Sequence, residues 1–293
     1  MSIRTRALIL LVILTLLWGT NWPLFPIAVR EVSVWTFRAV ATSVAGVVLL
    51  LVAWARGQSL AVPREHWSTV VAAALIYLLV WNIASTSAAT MIPSGQAAVL
   101  GFTMPLWVAL ISWAVLGERL GFRLVLAIVL GAVAVGLLMV PSLKAYADAP
   151  LGMLLGLLSG LGWALGTLIL KRRPVPISAT VLTGWQFIVV SVPIAAGAFA
   201  FGDGDWFMPS WQTILVIGYI TLVPVCIGNV CWFAIVGLLP ANVAGLSAIM
   251  VPVVAMISGA LILDEPLGPI QWLAMICSAA ALALAMLKPA PAR

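Results

Sequence analysis

The sequence predicts an all-α membrane protein with ten transmembrane helices, arranged as two inverted five-helix repeats. Three observations predict this fold: the composition, a succession of long apolar stretches, and an internal similarity between the two halves of the chain. Of the 293 residues, 64% are hydrophobic and only 8% are charged. Soluble domains carry about 25% charged residues, so this chain has too little charge to cover a water-facing surface.

Ten apolar stretches are long enough to cross a bilayer. A hydrocarbon core of about 30 Å needs about 20 apolar residues at a helical rise of 1.5 Å each. Arg4 and Arg6 precede the first stretch as in a secretory signal, but no small-residue cleavage site follows, so we predict a span. Spans 1 to 10 are predicted at residues 7–29, 34–54, 68–89, 93–116, 122–140, 151–170, 178–201, 211–236, 241–263 and 268–287.

Basic residues predict the orientation in the membrane. Arg30 and Lys144 fall on one side, Arg38 falls inside span 2, and the other eleven of the 14 Lys and Arg residues share the side of the N-terminus. Cytoplasmic loops are enriched in Lys and Arg, so we expect both termini to be cytoplasmic. The same loops account for the net charge of +6, which therefore does not indicate a nucleic-acid partner.

The sequence lacks the usual residues of an enzyme or a metal site. Cys226, Cys231 and Cys277 all fall inside apolar stretches without C-x-x-C spacing, and the one histidine, His66, lies in a polar linker. Paired catalytic carboxylates, a P-loop and a G-x-G-x-x-G motif are absent from the sequence. We therefore expect no enzyme activity, no metal and no cofactor.

An internal repeat links the two halves of the chain. A shift of 147 residues aligns 75–120 with 222–267 without a gap, and the repeats are predicted to divide the chain into 1–145 and 146–293. The identities include residues that are unusual in apolar segments. They pair Asn82 with Asn229, Pro93 with Pro240, Pro105 with Pro252, and Glu118 with Glu265.

The odd number of spans in each repeat has a functional implication. Five spans reverse the orientation of the second repeat, and inverted repeats are typical of carriers that expose a midplane site alternately to the two sides. A duplicated membrane interaction protein that moves no solute is the alternative from a different functional class. The sequence lacks the large water-exposed domain that a receptor would need, which disfavours this alternative.

The arrangement resembles the EamA-type branch of the drug/metabolite transporter superfamily. The resemblance is carried by two five-helix halves, by an early arginine in span 2, and by "GERL" and "DEPL" after spans 4 and 9. Its abundant tryptophans make the chain similar to the bacterial aromatic amino acid exporters of that branch. The resemblance implies a bacterial inner-membrane carrier for small metabolites, often working as an exporter.

Deep aromatic residues are candidates for the substrate passage. Tyr77 and Trp81 share one face of span 3, while Trp163 and Trp185 lie deep in spans 6 and 7. Aromatic rings with polar edges could line a cavity for flat or apolar substrates, although lipid-facing or core packing explains any single one equally well. Other tryptophans, including Trp22, lie near predicted span ends and are expected to anchor at the headgroups.

Four buried amides and two prolines complete the candidates. Unpartnered amides are costly in hydrocarbon, so Asn82, Asn229, Gln96 and Gln186 should face another helix or a wet cavity. The repeat equivalence of Asn82 and Asn229 favours a structural hydrogen bond between helices. Pro105 and Pro252 free the carbonyls four residues earlier, so the two positions predict paired kinks that act either as gates or as static bends.

Arg38 is the one charge predicted inside a span, about five residues from its external end. The side chain could snorkel to the interface, pair with carbonyls freed by prolines in span 1, or hold a substrate carboxylate through two parallel hydrogen bonds. Gln186 aligns approximately with Arg38, at an offset of 148 residues.

These observations predict a transporter of small organic solutes, with amino acids, and aromatic ones in particular, as the leading substrates. None of the eight acidic residues is deep in a predicted span, and intramembrane acids are the natural markers of proton coupling. We therefore expect gradient-driven alternating access. Export of drugs or other metabolites, with or without proton coupling, is the alternative; the substrate and the oligomeric state stay open.

Overall fold

A computed structural model describes residues 3–92, 94–117, 120–140, 143–202, 208–240, 243–244, 248–263 and 267–286. The described residues form helices joined by short turns and contain no strand. Eight helical stretches are long and apolar enough to cross a membrane, and two shorter apolar helices follow them. Large apolar side chains such as Phe122, Phe199 and Leu261 are exposed on the outside, as a lipid-facing surface requires. The predicted all-α membrane fold is confirmed.

The ten spans correspond closely to the predicted ones, although several are interrupted. The helices that form spans 1 to 5 are Ile3–Gly19 with Phe25–Ala28; Val34–Ala55; Trp67–Ala73 with Val80–Met91; Ser94–Gly101 with Met104–Ala114; and Phe122–Met139. Those that form spans 6 to 10 are Pro150–Arg172; Ala179–Phe201; Trp211–Ile220 with Asn229–Leu238; Val251–Leu263; and Pro269–Met286. A short helix, Leu143–Asp148, precedes span 6.

The packing of the spans has approximate two-fold symmetry between the repeats. Span 1 packs on spans 8 and 9, and its equivalent, span 6, packs on spans 3 and 4. Spans 2 and 7 pack on each other, as do spans 5 and 10. Each repeat therefore contributes its first span to the other half of the bundle, which places the centre of the molecule between the repeats.

Spans 4 and 9 are broken near Pro105 and Pro252, where the sequence predicts kinks. In span 4 the helix stops at Gly101, and Pro105 lies in the first turn of the helix that starts at Met104. In span 9 the 3-10 turn Ala248–Met250 directly precedes the helix containing Pro252. The predicted span 93–116 is therefore present but interrupted at residues 102–103, because a proline cannot supply the N–H that would join the two segments.

The described part of span 9 is discontinuous. Its predicted range begins at residue 241; residues 243–244 are helical, and the longer α-helix begins at Val251. Residues 241–242 and 245–247 lie outside the described residues, as do Pro93, Glu118 and Glu265 of the repeat alignment.

A wide helical turn occurs at the same place in each repeat. The π-helical segments Ala74–Leu79 in span 3 and Thr221–Gly228 in span 8 begin 147 residues apart, the offset of the sequence alignment. π-Segments are rare and are frequent at functional sites. Each one leads directly into the helix that carries Asn82 or Asn229. The two segments therefore influence the direction in which these amide side chains point.

Hydrogen bonds at the two ends of the bundle agree with spans that alternate in direction across the membrane. On one side Lys171 Nζ donates to the carbonyl oxygen of Val236 at 2.7 Å, and Trp185 Nε1 donates to that of Leu60 at 2.8 Å. On the other side, Ser210 donates to Glu31. The bonds of Trp185 and Ser210 join the two repeats, one at each membrane surface, whereas the bond of Lys171 joins spans 6 and 8 within the second repeat.

Candidate functional site

A small cavity lies between the two repeats and is the candidate functional site. Its volume is about 30 Å³, room for one or two water molecules but far below the roughly 300–1,000 Å³ of small-molecule sites. An organic solute does not fit into this volume. The lining residues are Trp18, Asn21, Trp22, Phe25, Arg38, Leu78, Trp81, Asn82, Phe102, Phe187, Pro224, Val225 and Asn229.

Arg38 lines this cavity and is 1% exposed. The hydroxyl of Ser33 accepts from the backbone N–H of Thr36 and caps the beginning of span 2. The first turn that follows directs Arg38 into the bundle rather than towards the membrane surface. The alternative that this side chain snorkels to the interface is therefore wrong, because snorkelling requires an exposed guanidinium.

The guanidinium of Arg38 is only partly satisfied by the protein. Nε donates to Thr86 Oγ1 at 2.7 Å, whereas Nη2 is buried without a hydrogen-bond partner. The rings of Phe25 and Phe37 each lie with their centroid 4.6 Å from the guanidinium carbon. In the part of the chain that the structure describes, Arg38 makes no ion pair, and it does not pair with carbonyls around Pro23 and Pro26. A buried cation with a free N–H group can accept an anionic ligand.

Asn82 and Asn229 approach the cavity from equivalent positions of the two repeats. Asn82 Nδ2 donates to the carbonyl oxygen of Leu78 at 2.7 Å, and Asn229 Nδ2 donates to that of Val225 at 2.9 Å. The predicted hydrogen bond between helices is wrong for Asn82, whose bond stays within span 3. Asn229 also accepts from the Tyr77 hydroxyl over a long 3.5 Å.

An aromatic cluster adjoins the cavity and is centred on Trp163. The Trp163 side chain is fully buried in span 6 and does not line the cavity itself. Its ring stacks on Tyr77 at 5.9 Å and meets Trp81 edge-on at 4.8 Å. Trp18, Phe102 and Trp232 complete the contacts at 4.9–5.4 Å between ring centroids. Trp163 therefore supports the cavity walls formed by Trp18, Trp81 and Phe102.

Five predicted site residues do not line the cavity: Trp163 and Tyr77 belong to the adjoining aromatic cluster, and three others lie elsewhere. Gln186 is fully buried, and neither of its amide atoms has a partner in the described structure. Gln96 lies near the beginning of span 4, where its backbone carbonyl accepts from the Tyr146 hydroxyl at 3.3 Å. Trp185 lies nearer a membrane surface, because its indole donates to Leu60 and packs against Trp67. Their predicted place in the passage has no support from the position of these residues.

Several cavity residues were missed from the sequence, and four of them lie around the break in span 1. The helix ends at Gly19, and Pro23 lies in the 3-10 turn Trp22–Leu24. Trp22, expected at a membrane interface, is instead 2% exposed and lines the cavity, because this turn directs it inwards. The stretch "GTNWP" was the available signal, since it combines a polar Asn21 with a helix-breaking proline inside an apolar run.

The sequence model of the EamA-like transporter family matches residues 5–140 and again residues 150–287. "Uncharacterized transporter YvbV" of Bacillus subtilis is 26% identical over 90% of this chain and 86% of its own length. "Uncharacterized inner membrane transporter YedA" of Escherichia coli is 25% identical over 89% of this chain and 84% of its own.

One further relative has a more specific name, and one solved structure has the same fold. "Probable amino-acid metabolite efflux pump" of Escherichia coli is 27% identical over 63% of this chain and 64% of its own length. A crystal structure superposes with a TM-score of 0.77 and 22% identity, covering 96% of this chain and 97% of that one. At this identity the superposition shows a shared fold over nearly the whole chain.

Proposed function

The chain belongs to the EamA-like transporter family, as the two matches covering most of its length show, and we propose that it exports small carboxylate-bearing solutes, amino acids foremost. It is a membrane transporter, not an enzyme. The identity of the substrate, the direction of transport and the absence of proton coupling are what we propose. The observation that carries the proposal is Arg38, a buried cation beside the central cavity with an unpartnered Nη2.

An anionic ligand would stabilise the buried guanidinium of Arg38, which has no carboxylate partner among the described residues. Removing a charge from water is expensive unless the charge is paired and hydrogen-bonded. Thr86 and the rings of Phe25 and Phe37 satisfy part of this requirement. A planar carboxylate would complete it, because it accepts two parallel hydrogen bonds from a guanidinium. The aromatic lining favours amino acids with apolar or aromatic side chains among the carboxylates.

The small cavity and the repeat symmetry support alternating access. A volume of about 30 Å³ cannot hold an amino acid, so loading requires one side of the bundle to open. We propose that the two repeats, divided at residues 145 and 146, supply this movement, and that Pro105 and Pro252 lie at the bends where it occurs. The bacterial inner membrane, with both termini cytoplasmic, is the proposed location. The inner-membrane name of the Escherichia coli relative supports this location.

Transport is proposed to run down the gradient of the solute. The described acidic residues Glu31, Glu65 and Asp148 are all exposed, and none of them lines the cavity. Net flux in liposomes that contain only the purified chain should therefore need no imposed pH difference. Accumulation that requires a pH gradient would contradict this mechanism, and the absence of any flux would favour a membrane interaction protein.

The role of Arg38 is tested with two substitutions. Arg38→Lys keeps the charge but loses the planar fork, and Arg38→Gln keeps polarity alone. If Arg38 holds a carboxylate, both variants should fold, transport L-phenylalanine at least about tenfold more slowly, and spare L-phenylalaninamide, which lacks the carboxylate. Equal losses for the two solutes would assign Arg38 to structure or gating instead.

A further inference from the structure

We propose that the side-chain oxygens of Asn82 and Asn229 form a subsite for the ammonium group of a zwitterionic amino acid. This inference rests on the proposed function, because it presumes that Arg38 holds the carboxylate of the same substrate. The substrate would then need a free amino group beside its carboxylate. Simple carboxylates and N-acylated amino acids would lack the group that this subsite recognises.

The orientation of both amides is fixed by their own spans. A carbonyl oxygen can only accept, so the atom that faces Leu78 O or Val225 O must be the amide nitrogen. In an α-helix that carbonyl would pair with the backbone N–H of the same asparagine. The backbone N–H of Asn229 does donate to the Val225 carbonyl, and the second lone pair of that oxygen accepts the side-chain amide. The Asn82 oxygen therefore remains for the cavity, and the Asn229 oxygen, which accepts from the Tyr77 hydroxyl over a long 3.5 Å, keeps a second lone pair for it.

The cavity consequently presents donors and acceptors from different residues. Arg38 supplies N–H donors, whereas Asn82 and Asn229 supply oxygens. Asn21 adds a third oxygen, since its Oδ1 is buried without a partner and its side chain is 93% buried. An ammonium group has three donors and no acceptor, which matches three acceptor oxygens in the lining of one cavity. The faces of Trp18 and Trp81 in the same lining also favour a cation.

The spacing along span 3 fits the two charged groups of one small molecule. Thr86, which receives the hydrogen bond of Arg38, lies four residues after Asn82 and on the same helical face. Four residues correspond to about 6 Å along the axis. A carboxylate at the guanidinium and an ammonium at Asn82 are therefore separated by about one helical turn. This distance is short enough for the α-amino and α-carboxyl groups of one molecule once hydrogen-bond lengths are included.

The test compares three solutes in liposomes that contain the purified full chain: L-phenylalanine, 3-phenylpropionate and N-acetyl-L-phenylalanine. 3-Phenylpropionate has the same skeleton without the amine, and empty liposomes correct for passive permeation. The intact protein should prefer L-phenylalanine in kcat/KM by about tenfold to a hundredfold, the usual effect of hydrogen bonds to a charged group. Asn82→Leu and Asn229→Leu should remove most of that preference and leave 3-phenylpropionate transport within about twofold.

Two further variants keep the test decisive if a leucine variant fails to fold. Asn82→Thr and Asn229→Thr retain a hydroxyl that can donate to the carbonyl four residues earlier and accept from an ammonium, so they should keep part of the preference. Ser112→Ala, which removes a buried hydroxyl without a partner, is the matched control and should behave as the intact protein.

The outcomes separate this subsite from the proposed function. Equal transport of L-phenylalanine and 3-phenylpropionate by the intact protein would overturn the subsite and leave carboxylate transport standing. Equal losses for both solutes in the asparagine variants would also overturn it, because the amides would then be structural. If no carboxylate moves at all, the proposed function itself is overturned and the subsite with it.

Discussion

Glu31 accepts two hydrogen bonds from Ser210, one from its backbone N–H and one from its hydroxyl, each at 2.6 Å. Glu31 follows span 1 of the first repeat, and Ser210 caps the beginning of span 8 in the second. The two residues are 179 positions apart in the chain. They join the repeats at one membrane surface, so a movement that opens this side must break or stretch both bonds.

The bonds to Glu31 predict a pH dependence of stability. The hydroxyl of Ser210, and then its backbone N–H, lower the pKa of the Glu31 carboxyl from its ordinary value of 4.5. A depressed carboxyl pKa stabilises the folded state above the unfolded pKa, and the contribution is lost as the pH falls through the folded value. The thermal midpoint of Glu31→Gln should therefore lie below that of the intact protein at pH 6 and approach it near pH 3.

The control for this experiment is Glu65→Gln, which changes an exposed carboxylate near the beginning of span 3. Its midpoint should follow that of the intact protein at every pH. A difference between Glu31→Gln and the intact protein that is the same at pH 6 and pH 3 would contradict the proposed protonation effect.

Helix packing predicts a second stability effect, at Gly160 in span 6. A Cβ added there would lie 2.8 Å from Thr103 Oγ1 and 2.9 Å from the carbonyl oxygen of Gly101. Gly160→Ala should therefore destabilise the protein by about 1–3 kcal/mol, the usual cost of overpacking. Thermal unfolding in detergent measures the change.

Gly136→Ala in span 5 is the matched substitution, because nothing lies within 4 Å of an added Cβ. This change should be neutral or stabilise the protein by up to about 1 kcal/mol, since alanine favours a helix more than glycine does. Similar midpoints for the two alanine variants would show that span 6 adapts to the extra methyl group.

Trp163 predicts an effect on both stability and selectivity. Trp163→Ala removes a fully buried ring and should cost about 3–5 kcal/mol, while Trp163→Phe keeps most of the aromatic packing. Because Trp163 supports Trp18 and Trp81 in the cavity wall, transport per folded molecule should fall more for L-phenylalanine than for L-alanine. Parallel losses for the two amino acids in both variants would leave Trp163 with a packing role alone.

The orientation is tested by labelling single cysteines in a background in which Cys226, Cys231 and Cys277 are replaced. Cysteines at Gln58 and Pro176 should be protected from an impermeant reagent in intact cells, because the basic loops place both on the cytoplasmic side. Cysteines at Ser142 and Gly204, which lie outside the described residues, should react. The reverse labelling would invert the proposed topology.

Composition and span length were enough to predict the number and order of the spans. Those predictions succeed because a bilayer requires long apolar helices with every backbone group paired. The interruptions were harder to predict. Pro105 and Pro252 indicated kinks in spans 4 and 9, whereas the π-segments have no comparable signal, since an extra residue in a helical turn barely changes hydropathy.

The site was predicted only in part, because the sequence does not show which helices pack against each other. Arg38, Asn82 and Asn229 were identified because charges and amides are rare in apolar spans. Sequence periodicity gives no information about which helices of the two repeats meet, so it could not separate the cavity position of Trp22 from an interfacial one. The same lack of tertiary information placed Gln186 and Trp185 in the passage.

The paired π-segments also bear on how the two repeats arose. An extra residue in a helical turn is uncommon, and two independent insertions at positions 147 residues apart would be a coincidence. The economical account is inheritance from a single five-helix ancestor that already contained the wide turn and the asparagine after it. Two copies of that ancestor, inserted in opposite directions, would have formed an antiparallel dimer with two identical amides at its axis. After gene fusion the two copies could diverge in sequence. Arg38 and Gln186, which align approximately, would then be one example of two positions that no longer carry the same residue.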